Sequence, residues 1–189
     1  MDIVITEQNR RSNPLSGRIK LVQGNIAQQD VDAIISLIPQ NLEYRGQVNN
    51  ELLKDAGEQL DEFILENIYK PRVGDVYAVP GFGLPCEHVL FGITPDWRND
   101  FDREDGHLLK VLRKTLELAR GMGLTRIALP PLASGKNGFP KQRAARLIVQ
   151  AIENRLDEDF DEIRIVCVAD RTLRVFEERL QAVGWTGMV

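Results

Sequence analysis

The stretch Ser134-Gly135-Lys136-Asn137-Gly138 puts a hydroxyl, a lysine, an amide and two glycines into five residues. The glycines permit positive φ and a close approach of backbone, and successive N–H groups turned the same way form a concavity for an anion. A lysine beside a bound phosphate would add a charge-assisted hydrogen bond; the same side chain pointing to solvent would add none. Ahead of the loop, Ile127–Leu132 is apolar with Pro130 and Pro131 near its end, as a buried parallel strand that stops abruptly would be. Behind it come Phe139 and Pro140, then Ala144, Leu147, Ile148, Ala151 and Ile152 at helical spacing. Strand, glycine loop and helix N-terminus together offer N–H groups and a positive helix end to phosphate. A plain strand-to-helix turn has the same outline, so spacing alone leaves both readings open.

Other reactive side chains are more scattered. His88 stands near a strand start and His107 early in a helix. No spacing pairs either with Cys86 or Ser134, and a metal centre needs more ligands; neither metal nor cofactor is expected. Asp96, Asp100, Asp102, Glu104 and Asp105 crowd around Trp97 and Phe101, either as a solvated acidic loop or as a lid whose aromatic covers a base. Arg143 and Arg146 are expected on the surface of their helix.

These residues must be held by something. With 189 residues, 43% of them hydrophobic, the chain suits one ordinary globular domain with a sizeable core. A net charge of −4 argues against non-specific nucleic-acid binding, which depends on neutralising phosphates. No apolar run approaches the ~18 residues of a membrane-spanning helix, and the N-terminus lacks the order of a signal peptide. Cys86 and Cys167 are expected to stay reduced, which points to the cytoplasm.

Strands are expected at Ile3–Thr6, Arg18–Gln23, Asp32–Ile38, Gly74–Pro80, His88–Thr94, Ile127–Leu132 and Ile163–Ala169. One long helix should open at Val48 and end at Lys70-Pro71, carrying Leu52, Leu53, Ala56, Leu60, Phe63 and Ile64 on one face. A second carries Leu108, Leu109, Leu112, Leu116, Ala119 and Met122, with Gly121 and Gly123 as its stop. The third follows Pro140, and the last presents Leu173, Phe176, Leu180 and Val183. Four helices alternating with six or seven strands predict an α/β fold: a three-layer α/β/α sandwich with a mixed, mostly parallel sheet. Asp32–Ile38 and Arg126–Leu132 should be its inner strands.

The order of these pieces resembles the macro domain family. The resemblance rests on Gln23-Gly24-Asn25-Ile26, the strand Asp32–Ile38, and Leu42-Glu43-Tyr44-Arg45-Gly46-Gln47-Val48 opening a helix. It continues through Phe91-Gly92-Ile93-Thr94-Pro95-Asp96-Trp97 and the run Leu129–Pro140, and covers Ile19 to Leu180. It implies a cleft at the carboxyl ends of the strands that binds ADP-ribose or a related phosphorylated nucleotide. An ADP-ribosylated protein would then be a partner. Carried over by position, the ligand-binding residues are Asn25, Ile26, Gly46, Val48, Ser134, Gly135, Lys136, Asn137, Gly138 and Phe139.

The chain also departs from the family's pattern. Asn25 stands where the family carries an aspartate that accepts from the adenine amine, so an acceptor remains without its charge. The family's Asn-Ala-Ala-Asn corresponds to Ser36-Leu37-Ile38-Pro39, and Pro39 has neither side-chain donor nor N–H. A triple glycine becomes Arg45-Gly46-Gln47, and the acid of the hydrolytic members becomes Asn49. Ala169 takes the place of an aromatic that stacks on adenine in several members. Three functions follow in order: a nucleotide-binding module, a macro-type hydrolase using a substrate-assisted water, and a structural or partner-binding domain with a decayed cleft. No catalytic residue is assigned.

Overall fold

Ala33–Ile38 reads AIISLI, with Ser36 its one polar side chain, and such a strand needs cover on both faces. The computed structural model, which describes residues 16–43, 46–95, 101–134, 139–156 and 159–187, provides it. Among those residues the strands are β1 (Ile19–Gln23), β2 (Ala33–Pro39), β3 (Val76–Pro80), β4 (His88–Thr94), β5 (Arg126–Leu129) and β6 (Glu162–Cys167). The α-helices are α1 (Gln47–Ala56), α2 (Glu58–Asn67), α3 (Phe101–Gly121), α4 (Lys141–Glu153) and α5 (Asp170–Ala182). The sheet runs β1-β6-β5-β2-β4-β3, parallel throughout except for the antiparallel β3–β4 pair. β2 and β5 are both interior, as expected.

Alternation along the strands sends side chains into two cores. Ile19, Leu21, Ile35, Ile127, Ile163 and Ile165 pack under α3, α4 and α5. Ile34, Ile38, Val89, Ile93, Ala128 and Val166 pack under α1, α2 and a short 3-10 helix, Ile26–Gln28. The sandwich therefore has three layers. No described helix is long and apolar enough to cross a membrane.

Several expectations are corrected. The long helix from Val48 is two helices, because Gly57 sits between them at φ 90° and its N–H bonds back to Leu53 O. Its apolar face is continuous across the break (Leu52, Ala56, Leu60 and Ile64 are all buried), which is why periodicity alone does not reveal it. Among the described residues there are accordingly five α-helices rather than four, and α2 ends at Asn67. β5 stops at Leu129: Pro130 and Pro131 supply no N–H for the ladder, and Leu132 N–H bonds to Pro130 O. β6 ends at Cys167, two residues early, and β3 begins at Val76. Met122 lies past the end of α3 and is exposed. The expected strand Ile3–Thr6 lies outside the described residues.

Candidate functional site

The chain leaves β2 and β5 in opposite directions. From β2 it passes through α1 and α2 over one face to β3 at the sheet edge; from β5 it passes through α4 over the other face to β6. Adjacent parallel strands whose connections part in this way leave a crevice outside their carboxyl ends, where open α/β sheets take ligands. The site is therefore bounded by the segment after β5, the segment after β2, and the turns after β1 and β6.

The β5 side carries the glycine loop. Ala133 adopts φ 60°, uncommon for a residue with a Cβ, and Ser134 Oγ donates to Pro131 O at 2.6 Å. Phe139 N–H then donates to Ala133 O at 2.6 Å, which brings the two ends of the loop together. The Phe139 side chain is buried in the core beneath α4, with the Arg143 guanidinium 5.4 Å from its ring centre. Gly135, Lys136, Asn137 and Gly138 lie outside the described residues. α4 begins after Pro140 with no side-chain cap on its first N–H groups.

The acidic cluster resolves in part. Glu104 and Asp105 belong to α3, not to a loop, and Glu104 is buried. Asp105 accepts from Arg143 Nε at 2.8 Å and lies 3.8 Å from Arg146. Both carboxylate and Arg143 are about three-quarters buried, so Arg143 ties the start of α3 to the start of α4 rather than decorating the surface. Opposite charges 38 residues apart carry no local signal, and sequence reasoning missed the pair. Residues 96–100, with Trp97, lie outside the described residues.

On the β2 side, Gly46 precedes α1 at φ 114°, and Val48 is half-buried against the second core. Leu42, at φ 60°, begins this segment in the left-handed region. Asn49 is 7% exposed. Its Oδ1 accepts from Ser36 Oγ at 2.7 Å and its Nδ2 donates to Leu37 O at 2.9 Å, pinning α1 to the end of β2. After β1, Asn25 Oδ1 caps the short helix by accepting from Ala27 N–H at 2.8 Å. The Ile26 side chain is core, so backbone is what it can offer a ligand. After β6, Val168 and Ala169 are exposed, and Gln23 Nε2 donates to Val168 O and to Asp170. The described members of the expected site thus follow three strands: Asn25 and Ile26 after β1, Gly46 and Val48 after β2, and Ser134 and Phe139 after β5.

Burial pushes the Cys86 thiol up to about 11 and the Cys167 thiol up to about 12, so neither is a thiolate at neutral pH. His88 and His107 lie at the start of β4 and in α3, and no metal-binding group of three acidic, histidine or cysteine side chains is found among the described residues.

A family model described as the macro domain matches residues 39–148, more than half of the chain. The chain belongs to the macro domain family. It is 28% identical over 171 residues to a macro domain-containing protein of Listeria monocytogenes, covering 87% of this chain and 97% of that one. It is also 29% identical over 170 residues to a Thermotoga maritima protein, covering 86% of this chain but only 28% of that relative's length. The Oceanobacillus iheyensis macrodomain solved with ADP superposes with a TM-score of 0.78 at 24% identity, over 87% of this chain and 90% of that one. A variant of the same macrodomain was solved with ADP-ribose. At that identity the likeness shows the fold, and this macro domain shares its mixed six-stranded sheet between helical layers.

Proposed function

We propose that this macro domain binds ADP-ribose or a related phosphorylated nucleotide in the crevice between β5 and β2, and does not hydrolyse it. The observation that carries the reading is the glycine loop at the topological switch point. It is closed at its base by the Ala133–Phe139 hydrogen bond and followed by an α4 N-terminus that no side chain caps. The O. iheyensis macrodomain, with ADP in its own structure, supports the same ligand class. Ser134 and the loop Gly135–Gly138 would take the phosphates, Asn25 and Ile26 would lie toward the base, and Gly46 and Val48 would border the far side. An ADP-ribosylated protein is the corresponding partner.

The absence of hydrolysis follows from the chemistry around α1. A general base must reach the proton it takes, and Asn49 is an amide already engaged with Ser36 and Leu37. Pro39 offers no donor in that neighbourhood.

A thermal-shift series of ADP-ribose, mononucleotides, dinucleotides and inorganic phosphates tests the binding. A ligand at 100 times its Kd adds about 2.7 kcal/mol of stability. Gly135→Val should abolish the phosphate-dependent shift, because a branched side chain in the loop restricts φ and occupies space beside the anion. Unchanged affinity in that variant would reduce the loop to a turn and remove the reading.

A further inference from the structure

We propose that the free edge of β3 docks an extended acidic segment of another protein, which adds to the sheet as a further strand. β2 and β4 separate this edge from β5, and the proposal does not depend on what the crevice binds. Among the described residues, β4 is the only strand beside β3. Antiparallel pairing turns alternate residues toward the neighbour, and the phase is set at both ends of this pair. Ile93 N–H donates to Asp75 O at 2.8 Å, and Gly81 N–H donates to Glu87 O at 2.8 Å. Asp75, Tyr77, Val79 and Gly81 therefore bond toward β4. The N–H and C=O groups of Val76 and Ala78, with the C=O of Pro80, point outward.

Helix α3 flanks the edge with uncommitted positive charge. An open groove between β3 and α3 is lined by Asp75, Val76, Tyr77, Lys114 and Leu118. Lys110, one turn before Lys114, passes its stem close to Gly74. Neither lysine makes an ion pair with another described residue. The acids nearby are already engaged. Asp75 accepts from Arg72 N–H at 2.9 Å and from the Tyr77 hydroxyl at 3.3 Å. Glu117 lies 3.0 Å from Arg155 and 3.9 Å from Arg113.

Strand addition takes its affinity from main-chain hydrogen bonds and its specificity from alternate side chains. Val76 and Ala78 supply the donors and acceptors, and Pro80, lacking an N–H, ends the donor row. Ala78 packs toward the core under α3, so alternate side chains of an added strand stand on that face and meet Lys114. Glutamate or aspartate at those positions gives opposite charges at cross-strand distance. A second copy of this chain is the other strand the edge could pair with. Pairing β3 with its own copy around Tyr77 sets Val76 opposite Ala78 and brings the two Lys114 ammonium groups toward one axis. Like charges brought together there oppose it. Proline and lysine commonly guard an edge against self-association, and this guard still admits an acidic strand.

Amide hydrogen exchange on the full chain, followed by NMR, decides the matter. The probe is a capped decapeptide of alternating glutamate and valine, with its lysine–valine counterpart as control. In the free chain the Val76 and Ala78 amides should exchange fast, and those of Tyr77 and Val79 slowly. The acidic peptide at about 1 mM should slow Val76 and Ala78 by about tenfold or more, and the basic peptide should not. Lys114→Glu should weaken the acidic peptide by about tenfold at an unchanged Tm, while Lys114→Arg retains it. Slow exchange at Val76 and Ala78 without peptide would overturn the proposal, as would protection that grows with protein concentration alone. Fast exchange that persists at about 1 mM acidic peptide, or equal protection by the two peptides, would overturn it too.

Discussion

The two ends of the sheet are built on different terms. At the amino-terminal ends, hydrogen bonds stitch the chain across five strands. Asp32 C=O accepts from Glu87 and His88 N–H before β4, and its carboxylate accepts from Thr125 N–H at 2.8 Å and Arg126 N–H at 2.9 Å as β5 begins. Thr125 O in turn accepts from Asp161 and Glu162 as β6 begins, and Glu162 pairs with Lys20 of β1 at 3.2 Å. At the carboxyl ends the chain departs instead in loops. Of the four described non-glycine residues with positive φ, Leu42 and Ala133 stand there, one after β2 and one after β5. Strain of this kind persists where the surroundings over-determine it and collects at functional sites. One end of the sheet holds the strands together, and the other is left to shape a crevice.

Substitutions at the stitched end should therefore lower stability without touching the ligand. The largest effect is expected for Asp32→Ala. It leaves two strand N–H groups without their charged acceptor, a loss of about 2–3 kcal/mol, or about 5–10 °C in Tm for a domain of this size. Affinity for ADP should stay within about twofold by calorimetry. Loss of binding at an unchanged Tm would erase the distinction between the ends.

At the other end the signs reverse. Lys136→Ala should weaken nucleotide binding by about 1 kcal/mol, the scale of a partly solvated charge contact, and leave the unliganded Tm where it was. Equal affinity in the two proteins would place the lysine outside the phosphate's reach.

The smallest effect, and the one with a pH signature, is Glu162→Gln. Burial works to raise the Glu162 carboxyl, but hydrogen bonds and charge from Arg164 and Lys20 outweigh it and hold the group below its ordinary 4.5. A depressed folded pKa gives stability that is fully present above the unfolded value and is lost as pH falls through the folded one. The parent should thus exceed the variant by about 0.5–1 kcal/mol at neutral pH, since Lys20 is largely exposed and screened. Denaturant titrations repeated below pH 4.5 should show the gap closing. A gap that widened on acidification would contradict the assignment.

Much of the architecture was legible before any coordinates. α4 and α5 place Ala144, Leu147, Ile148, Leu173, Phe176 and Leu180 as their spacing requires, because a helix reads its own period from residues three and four apart. β2 announced itself as an apolar run, and β4 was expected as a strand over the residues it occupies. The break at Gly57 was not legible, since a glycine on the exposed side of an apolar stripe is compatible with one helix or two. Nor was the end of β6: Val168 and Ala169 continue the apolar run, yet the chain bends there into α5.

The sequence by itself determined most of the elements, their order and the family, because hydrophobic period, prolines and turn residues act over a few neighbours. Only the tertiary structure decided where the crevice falls. That depends on β5 lying between β6 and β2, a pairing between segments some 90 residues apart in the chain. It also decided which polar groups are engaged within the protein. Asn49 looks available in the sequence and is engaged with Ser36 and Leu37 in the fold. Arg143 looks like a surface charge and is held by Asp105 over Phe139. A hydrogen bond or ion pair is set by distances of about 3 Å, and residues far apart in the chain reach such distances only once the layers are packed.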